Sequence, residues 1–316
     1  MKTYKTIIND IETGENLGTS VIEVKNTDVV ITNVMSEKEA QNQSEFAKNK
    51  KRLDAEMKEF IENNEGAFIH LIFKYGQPIF RELEEKAPGN KCNIHIIRLM
   101  MLATCQTFKG NLSDSNGHRV KKSSLKKIWD TTSKNSINET YDLLKDCGYI
   151  YETEEGYLMI NEDIIIKGAI TDVINELRKQ NKSFTCTRVF ADNVKEMYEG
   201  TESKQRKQLA NLFKILPYIN YKYNVFCSNP TETDETELKL LTWTDLARLC
   251  GYEEKKNIAK FKKDLMSLKV CGHDVIGQFE TGSGKTICVN PKVYYSGDDA
   301  NDVRNLYAMF KMCEAK

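Results

Sequence analysis

Ten residues, Met159-Ile160-Asn161-Glu162-Asp163-Ile164-Ile165-Ile166-Lys167-Gly168, return as Cys288-Val289-Asn290-Pro291-Lys292-Val293-Tyr294-Tyr295-Ser296-Gly297. In both, two apolar residues precede an Asn, two polar or Pro positions follow it, and three apolar or aromatic residues lead towards a closing Gly. A chain carrying such a motif twice is constrained to build one folding unit twice. The register can be checked by subtraction: Phe73 to Phe190 is 117, Ile137 to Ile258 and Leu144 to Leu265 are both 121, and Asn161 to Asn290 is 129. The offset grows where polar residues can absorb insertions, chiefly in Ser228 to Thr236, which reads as a surface loop.

Upstream of each copy runs the same order: an apolar helix, a short capped helix, a second helix with lysines outward, and an apolar hairpin. That is the order of a winged helix-turn-helix, a fold that commonly docks on duplex DNA. The fold class expected is therefore α+β, mainly α, with two tandem winged helix-turn-helix modules. A strand segment at 1–35, a long linking helix at 36–65, modules at 66–170 and 182–300 and a C-terminal helix at 301–316 complete the division.

In the first module, Ile94, Ile97, Leu99, Met100, Leu102 and Ala103 make an opening helix that is apolar over most of its circumference. Ser124, Leu125, Ile128 and Trp129 give the short second helix. Ser133 to Cys147 gives the third, with Ile137, Tyr141, Leu144 and Cys147 inward and Gly148 as its stop. Residues 149–151 and 157–160 form the hairpin around Glu154-Glu155-Gly156. The second module opens on Leu209, Leu212, Phe213, Leu216 and Ile219, and Thr242 caps a helix that Gly251 closes. Lys255 to Leu268 is its third helix, packed on Ile258, Phe261, Leu265 and Leu268, and its hairpin turns through Thr281-Gly282-Ser283-Gly284 to present Lys285.

At the N-terminus, Thr6 to Ile8, Ser20 to Val24 and Asp28 to Thr32 read as strands, too few to be stable alone. Ser36 to Asn63 reads as a helix with a capping box at Ser36 and Glu39. Its stripe of Phe46, Leu53, Met57 and Ile61 suits packing within its own domain or a homodimer seam.

Charge does not mark the chain as a nucleic-acid protein, because 46 Lys and Arg balance 46 Asp and Glu. A DNA-binding chain of this kind must segregate its lysines locally. The third helix of module two does so: Lys255, Lys256, Asn257, Lys260 and Lys263 lie opposite its apolar face, suited to phosphate contacts from Lys and base-edge contacts from Asn. Lys285 at the hairpin tip suits a neighbouring phosphate. At the offset of 121, Asn135, Glu139 and Asp142 replace Lys256, Lys260 and Lys263, so module one is less basic there. Its hairpin tip carries Glu154 and Glu155, although Arg119, Lys121, Lys122, Lys126, Lys127 and Lys134 surround its second and third helices. Module two is expected to read DNA, and module one to touch the backbone or a host or phage protein.

Other motifs lead elsewhere or nowhere. Gly282-Ser283-Gly284-Lys285-Thr286 ends like a phosphate-binding loop, but Phe279 stands where that loop needs Gly, and the context reads as a hairpin. His95-Ile96-Ile97-Arg98 resembles the His-x-x-Arg of tyrosine recombinases, yet it sits in a core helix, so His95 is expected to be a partly buried histidine with one hydrogen bond. Cys271 and His273 lack the second ligand pair that zinc needs. No metal, cofactor or catalytic set is expected. The nine cysteines sit mostly at core-phase positions such as Cys105, Cys147, Cys250 and Cys288, as small hydrophobes in a reducing compartment. Without a signal-like start or a long apolar run, a cytoplasmic protein without membrane contact is expected.

The stretch from Phe190-Ala191-Asp192-Asn193-Val194 into the helix at Leu209, then Ile258 to Leu268, then Val289 to Gly297, resembles the RepL-type replication proteins of plasmids and phages of low-GC Gram-positive bacteria. The resemblance implies sequence-specific binding to duplex DNA, with replication or its control as the setting. The sequence thus points to non-enzymatic DNA binding by a phage or plasmid replication or transcription regulator, with a protein-interaction adaptor as the competing class.

Overall fold

The computed structural model describes residues 2–9, 16–25, 28–35, 68–73, 78–167, 185–270, 272–281, 284–291, 293–294 and 310. The recurring decapeptide proves to be a recurring hydrogen-bond pattern. Asn161 donates from Nδ2 to the Gly148 carbonyl (2.9 Å) and from its backbone N to Tyr149 (3.0 Å), while its carbonyl accepts from the backbone of Ile164 and Ile165 (both 3.1 Å). Asn290 donates from Nδ2 to the Asp274 carbonyl (3.0 Å) and from its backbone N to Val275 (2.9 Å), and its carbonyl accepts from Val293 (2.9 Å) and Tyr294 (3.1 Å). Each Asn closes the last strand of its hairpin and starts the next turn. A short amide side chain can donate back across that distance, which suits Asn to both positions.

The chain divides into two compact units, Met1–Lys58 and Glu59–Lys316. In the first, β1 (Lys2–Asn9), β2 (Asn16–Lys25) and β3 (Asp28–Met35) form an antiparallel meander in the order β1-β2-β3. The three expected strands are present and longer than their apolar cores. The expected helix at 36–63 lies outside the described residues, as does the C-terminal helix apart from Phe310, which is helical.

The second unit is mixed α/β, with helices outweighing small antiparallel sheets. In chain order it contains β4 (Phe68–Phe73), α1 (Arg81–Lys86), α2 (Asn93–Thr104), α3 (Leu125–Ile128), α4 (Lys134–Asp146), β5 (Ile150–Glu152), β6 (Leu158–Ile160) and β7 (Ile165–Lys167). There follow β8 (Thr185–Phe190), α5 (Ala191–Gly200), α6 (Ala210–Ile215), α7 (Trp243–Leu249), α8 (Lys255–Met266), β9 (Lys269–Val270), β10 (His273–Asp274), β11 (Ile276–Thr281) and β12 (Gly284–Val289).

Both third helices form where the periodicity places them. In α4, Ile137, Thr140, Tyr141 and Leu144 are buried, Ser133 caps the first turn by accepting from the Ser136 N–H, and Gly148 follows the helix in the left-handed region at φ 73°. In α7 the capping box is complete: Thr242 accepts from the backbone of Asp245, whose carboxylate accepts from the backbone of Thr242. The opening helix of the second copy is shorter than its apolar pattern suggests. It runs as a 3-10 turn at Arg206–Leu209, then α6, then a 3-10 turn at Leu216–Tyr218 containing Pro217. Proline has no N–H for the helical ladder and its ring crowds the preceding turn, so the α-helix stops there.

The two halves of this unit meet in a sheet that the periodicity does not announce. β4 pairs with β8 antiparallel from Phe68↔Phe190 to Phe73↔Thr185, and β7 lies on the other side of β4. The pairs His70↔Arg188 and Leu71↔Thr187 join each residue to the copy of its neighbour, so the sheet has a local two-fold relation between repeats. Tyr294 bridges Val189 on the far side, as β7 flanks β4. Asn93 and Asn211, 118 positions apart, hydrogen-bond to each other in the core (3.1 Å). One apolar cluster runs from Ile69 to Tyr294 and includes Trp129, Phe213, Phe261 and Leu265. Buried side chains of this size stabilise by about 1.5–3 kcal/mol each. The Trp129 indole donates to the Arg98 carbonyl (2.9 Å), and the Tyr198 hydroxyl donates to the Trp129 carbonyl (2.7 Å), fastening the second copy to the first.

Candidate nucleic-acid interface

In α8, Phe261 and Leu265 are buried, with the rings of Tyr252 and Trp243 centred 5.4 and 6.4 Å from Phe261. That contact fixes the rotation of the helix. Lys255, Lys256, Lys260 and Lys263 consequently face solvent, and Asn257 is half-buried. The helix carries five lysines and one aspartate, whereas α4 carries two lysines and three acidic residues.

The lysines share an exposed face but differ in pairing. Lys256 meets Glu254 at 3.1 Å and Lys260 meets Asp264 at 2.7 Å, both within the same copy. Asn257 donates from Nδ2 to Glu254 (3.3 Å). Among the described residues, no carboxylate lies within ion-pair reach of Lys255 or Lys263. The ridge expected from sequence is thus half compensated by the chain itself. The Lys256 and Glu254 side chains are 81% and 65% exposed, and pairs so exposed contribute about 0–1 kcal/mol, little enough for a phosphate to displace the carboxylate.

Lys285 stands beside the turn of β11 and β12, directly opposite Glu280 in register and 3.6 Å from its carboxylate. The segments that flank residues 282 and 283 are therefore paired antiparallel strands, whereas a nucleotide-phosphate loop needs a strand followed by a helix. One contact was not legible in the sequence. Lys262 donates to the Gln278 side chain (3.0 Å), as does the Trp243 indole (2.8 Å), and Lys262 Nζ lies 5.5 Å from the Trp243 ring centre. This cluster ties the third helix to the hairpin and the preceding helix. Its members span 35 positions of sequence, and no local pattern links them.

In the first copy, Lys126 and Lys127 on α3 and Lys134 and Asn135 in the first turn of α4 are exposed. Among the described residues, none of these three lysines has a carboxylate within ion-pair reach. Lys122 meets Asp142 (3.7 Å) and sits 3.9 Å from the Tyr141 ring centre, and Lys121 lies 4.6 Å from that of Tyr157. The Tyr141 hydroxyl donates to Glu152 (2.6 Å), and burial first, then that carboxylate, pushes the phenol up to about 12. His95 is more deeply buried than its sequence suggests, at 4% exposure, with Nδ1 3.0 Å from the Thr140 hydroxyl.

Burial is complete for Cys250 and Cys288, and Cys105 and Cys147 are half-buried. Among the described residues, no group of His, Cys, Asp or Glu could hold a metal ion, and no helix is long and apolar enough to cross a membrane. Comparison with family models, with curated proteins and with solved structures finds no match for this chain.

Proposed function

We propose that residues 66–170 and 182–300 are two winged helix-turn-helix modules and that the chain binds duplex DNA without catalysing a reaction. On this reading α7 and α8 are the paired helices of module two, β11 and β12 its wing, and α8 the element that enters the major groove. Lys121, Lys122, Lys126, Lys127, Lys134 and Asn135 contact the backbone from module one. The RepL resemblance supplies the setting, replication or transcription control in a phage or plasmid.

The observation that carries this reading is where the exposed lysines of α8 begin. Lys255 and Lys256 occupy its first turn, and α8 has no acidic residue there. A helix dipole disfavours cations at that end by about 0.3–1 kcal/mol each, whereas the backbone N–H groups there attract anions. The acid at this end is Glu254 at the N-cap, which pairs with Lys256 and leaves Lys255 uncompensated, so lysines held against that preference make sense where a phosphate joins them.

Duplex affinity measured across a salt series tests it. Each lysine that neutralises a phosphate and releases a counterion contributes about 0.9 to the salt slope. Lys255→Ala with Lys263→Ala should therefore lower the slope by about two units. Lys256→Ala with Lys260→Ala should lower it less, because those lysines exchange a carboxylate for a phosphate. An unchanged slope in both double variants, or no duplex binding at low salt, would remove α8 from any DNA interface.

A further inference from the structure

The hairpin of the first copy presents a second surface of different chemistry. Beside β6, residues 111–113 and 119–121 continue the sheet through the bridges Asn111↔Met159, Ser113↔Arg119 and Lys121↔Tyr157. Alternation sends Leu112, Val120, Ile150, Leu158 and Ile160 into the core, all buried. The opposite face therefore carries Tyr151, Tyr157, Met159, Asn111, Arg119 and Lys121. Tyr151 is 46% exposed. The Arg119 guanidinium and the Lys121 ammonium lie 4.3 and 4.6 Å from the Tyr157 ring centre, and Arg119 is held by a 2.7 Å hydrogen bond to the Asn111 side chain.

The second copy shows what the same place looks like when covered. There Gly277 faces Cys288 as Tyr151 faces Met159, and Val225 bridges Cys288 as Asn111 bridges Met159. Phe310 fills the site. A Cβ on Gly277 would fall 2.7 Å from the Phe310 ring, which packs edge-on against Phe279 at 5.3 Å. One copy closes this face with its own aromatic ring, and the other turns an aromatic ring outward.

One exposed ring, Tyr151, beside two cations pre-positioned on the half-buried Tyr157 suits a partner that alternates flat π-faces with negative charge. A duplex hides the faces of its bases in the stack, whereas a single strand offers both bases and phosphates. We propose that this face of the first hairpin binds single-stranded nucleic acid, with a base stacking on Tyr151 and phosphates meeting Arg119 and Lys121, which Tyr157 holds in place. Glu155 opposes this at the hairpin tip. Its carboxyl lies below the usual range, chiefly through a hydrogen bond from Thr153 and in smaller part through Arg119 and Lys121.

The test is fluorescence anisotropy of the full chain with a labelled oligo-dT of roughly 15 nucleotides and, separately, a hairpin duplex. Tyr151→Ala should weaken oligo-dT binding about tenfold and leave duplex binding unchanged, and Glu155→Gln should strengthen oligo-dT binding. Lys255→Ala with Lys263→Ala should do the reverse of Tyr151→Ala, lowering duplex affinity alone. Because Tyr151 is exposed, its loss tests contact and not folding. Duplex binding without oligo-dT binding would overturn this inference and leave the duplex reading standing. Oligo-dT affinity indifferent to Tyr151→Ala, or equal losses on both ligands, would also overturn it.

Discussion

The two hairpins end in the same Asn turn but have opposite outer faces. β11 and β12 carry Gly277 and Cys288 beneath Phe310, while β5 and β6 carry the exposed Tyr151 opposite a half-buried Met159. The third helices diverge in the same complementary way: α8 gathers five lysines on a helix whose hairpin face is closed, and α4 is slightly acidic beside a hairpin whose face is aromatic and basic. What the two segments share is the scaffold, namely the Asn turn, the buried inner faces and the strand pairing. They differ on their outer surfaces, where a change costs little stability.

The largest effect should come from the covered face. Phe310 is 3% exposed, so Phe310→Ala should destabilise the chain by about 3 kcal/mol, whereas Tyr151→Ala should change stability by no more than about 0.5 kcal/mol. Urea titration of both variants reads the difference, and similar midpoints would mean that the two faces are alike after all.

A smaller contrast concerns the shared turn. Asn290 is buried and Asn161 half-buried, although they share the side-chain bond to the preceding turn and the same backbone bonds. Asn290→Ala should cost about 2 kcal/mol by leaving the part-buried Asp274 carbonyl and the buried Asn290 site without that bond, and Asn161→Ala about 1 kcal/mol because water can reach Gly148. Equal costs would show that burial of the turn does not matter.

The smallest effect separates the copies by pH. His95 occupies the place that Phe213 takes 118 positions later, and burial holds its imidazole below the ordinary value of 6.5. As pH falls, the unfolded chain therefore takes up the proton first. The stability owed to a neutral His95 is complete above about pH 6.5 and is lost below it, down through the folded value. His95→Gln should flatten the fall in urea midpoint between pH 7.5 and 5.5, both on the order of one unit from the free imidazole value. An identical fall in both proteins would place the pH dependence on other groups.

Much of this was legible because it is local. The cap at Thr242, the stop at Gly148, the phase of Ile137, Tyr141 and Leu144 and the hairpin around Glu154-Glu155-Gly156 all follow from spacing and turn chemistry. β4 and β8 were not, since Phe68 to Phe73 is a nearly unbroken apolar run whose buried strand lacks the alternation that marks a half-exposed one. The candidate site was half legible. Sequence set Lys255, Lys256, Lys260 and Lys263 on one helix face, but the pairing of Lys260 with Asp264 depends on rotamers, and the Lys262, Gln278 and Trp243 cluster on distant chain segments.

Alone, then, the sequence determined the repeated unit, the faces of its helices and the Asn that ends each hairpin, because these depend on residues a few positions apart. Tertiary structure decided that β4 pairs with β8, that one apolar cluster spans both segments, and that Phe310 covers one hairpin while Tyr151 is left uncovered on the other. Those outcomes rest on contacts between residues tens to hundreds of positions apart, where the gain from burying apolar surface selects the partner and local propensity is silent.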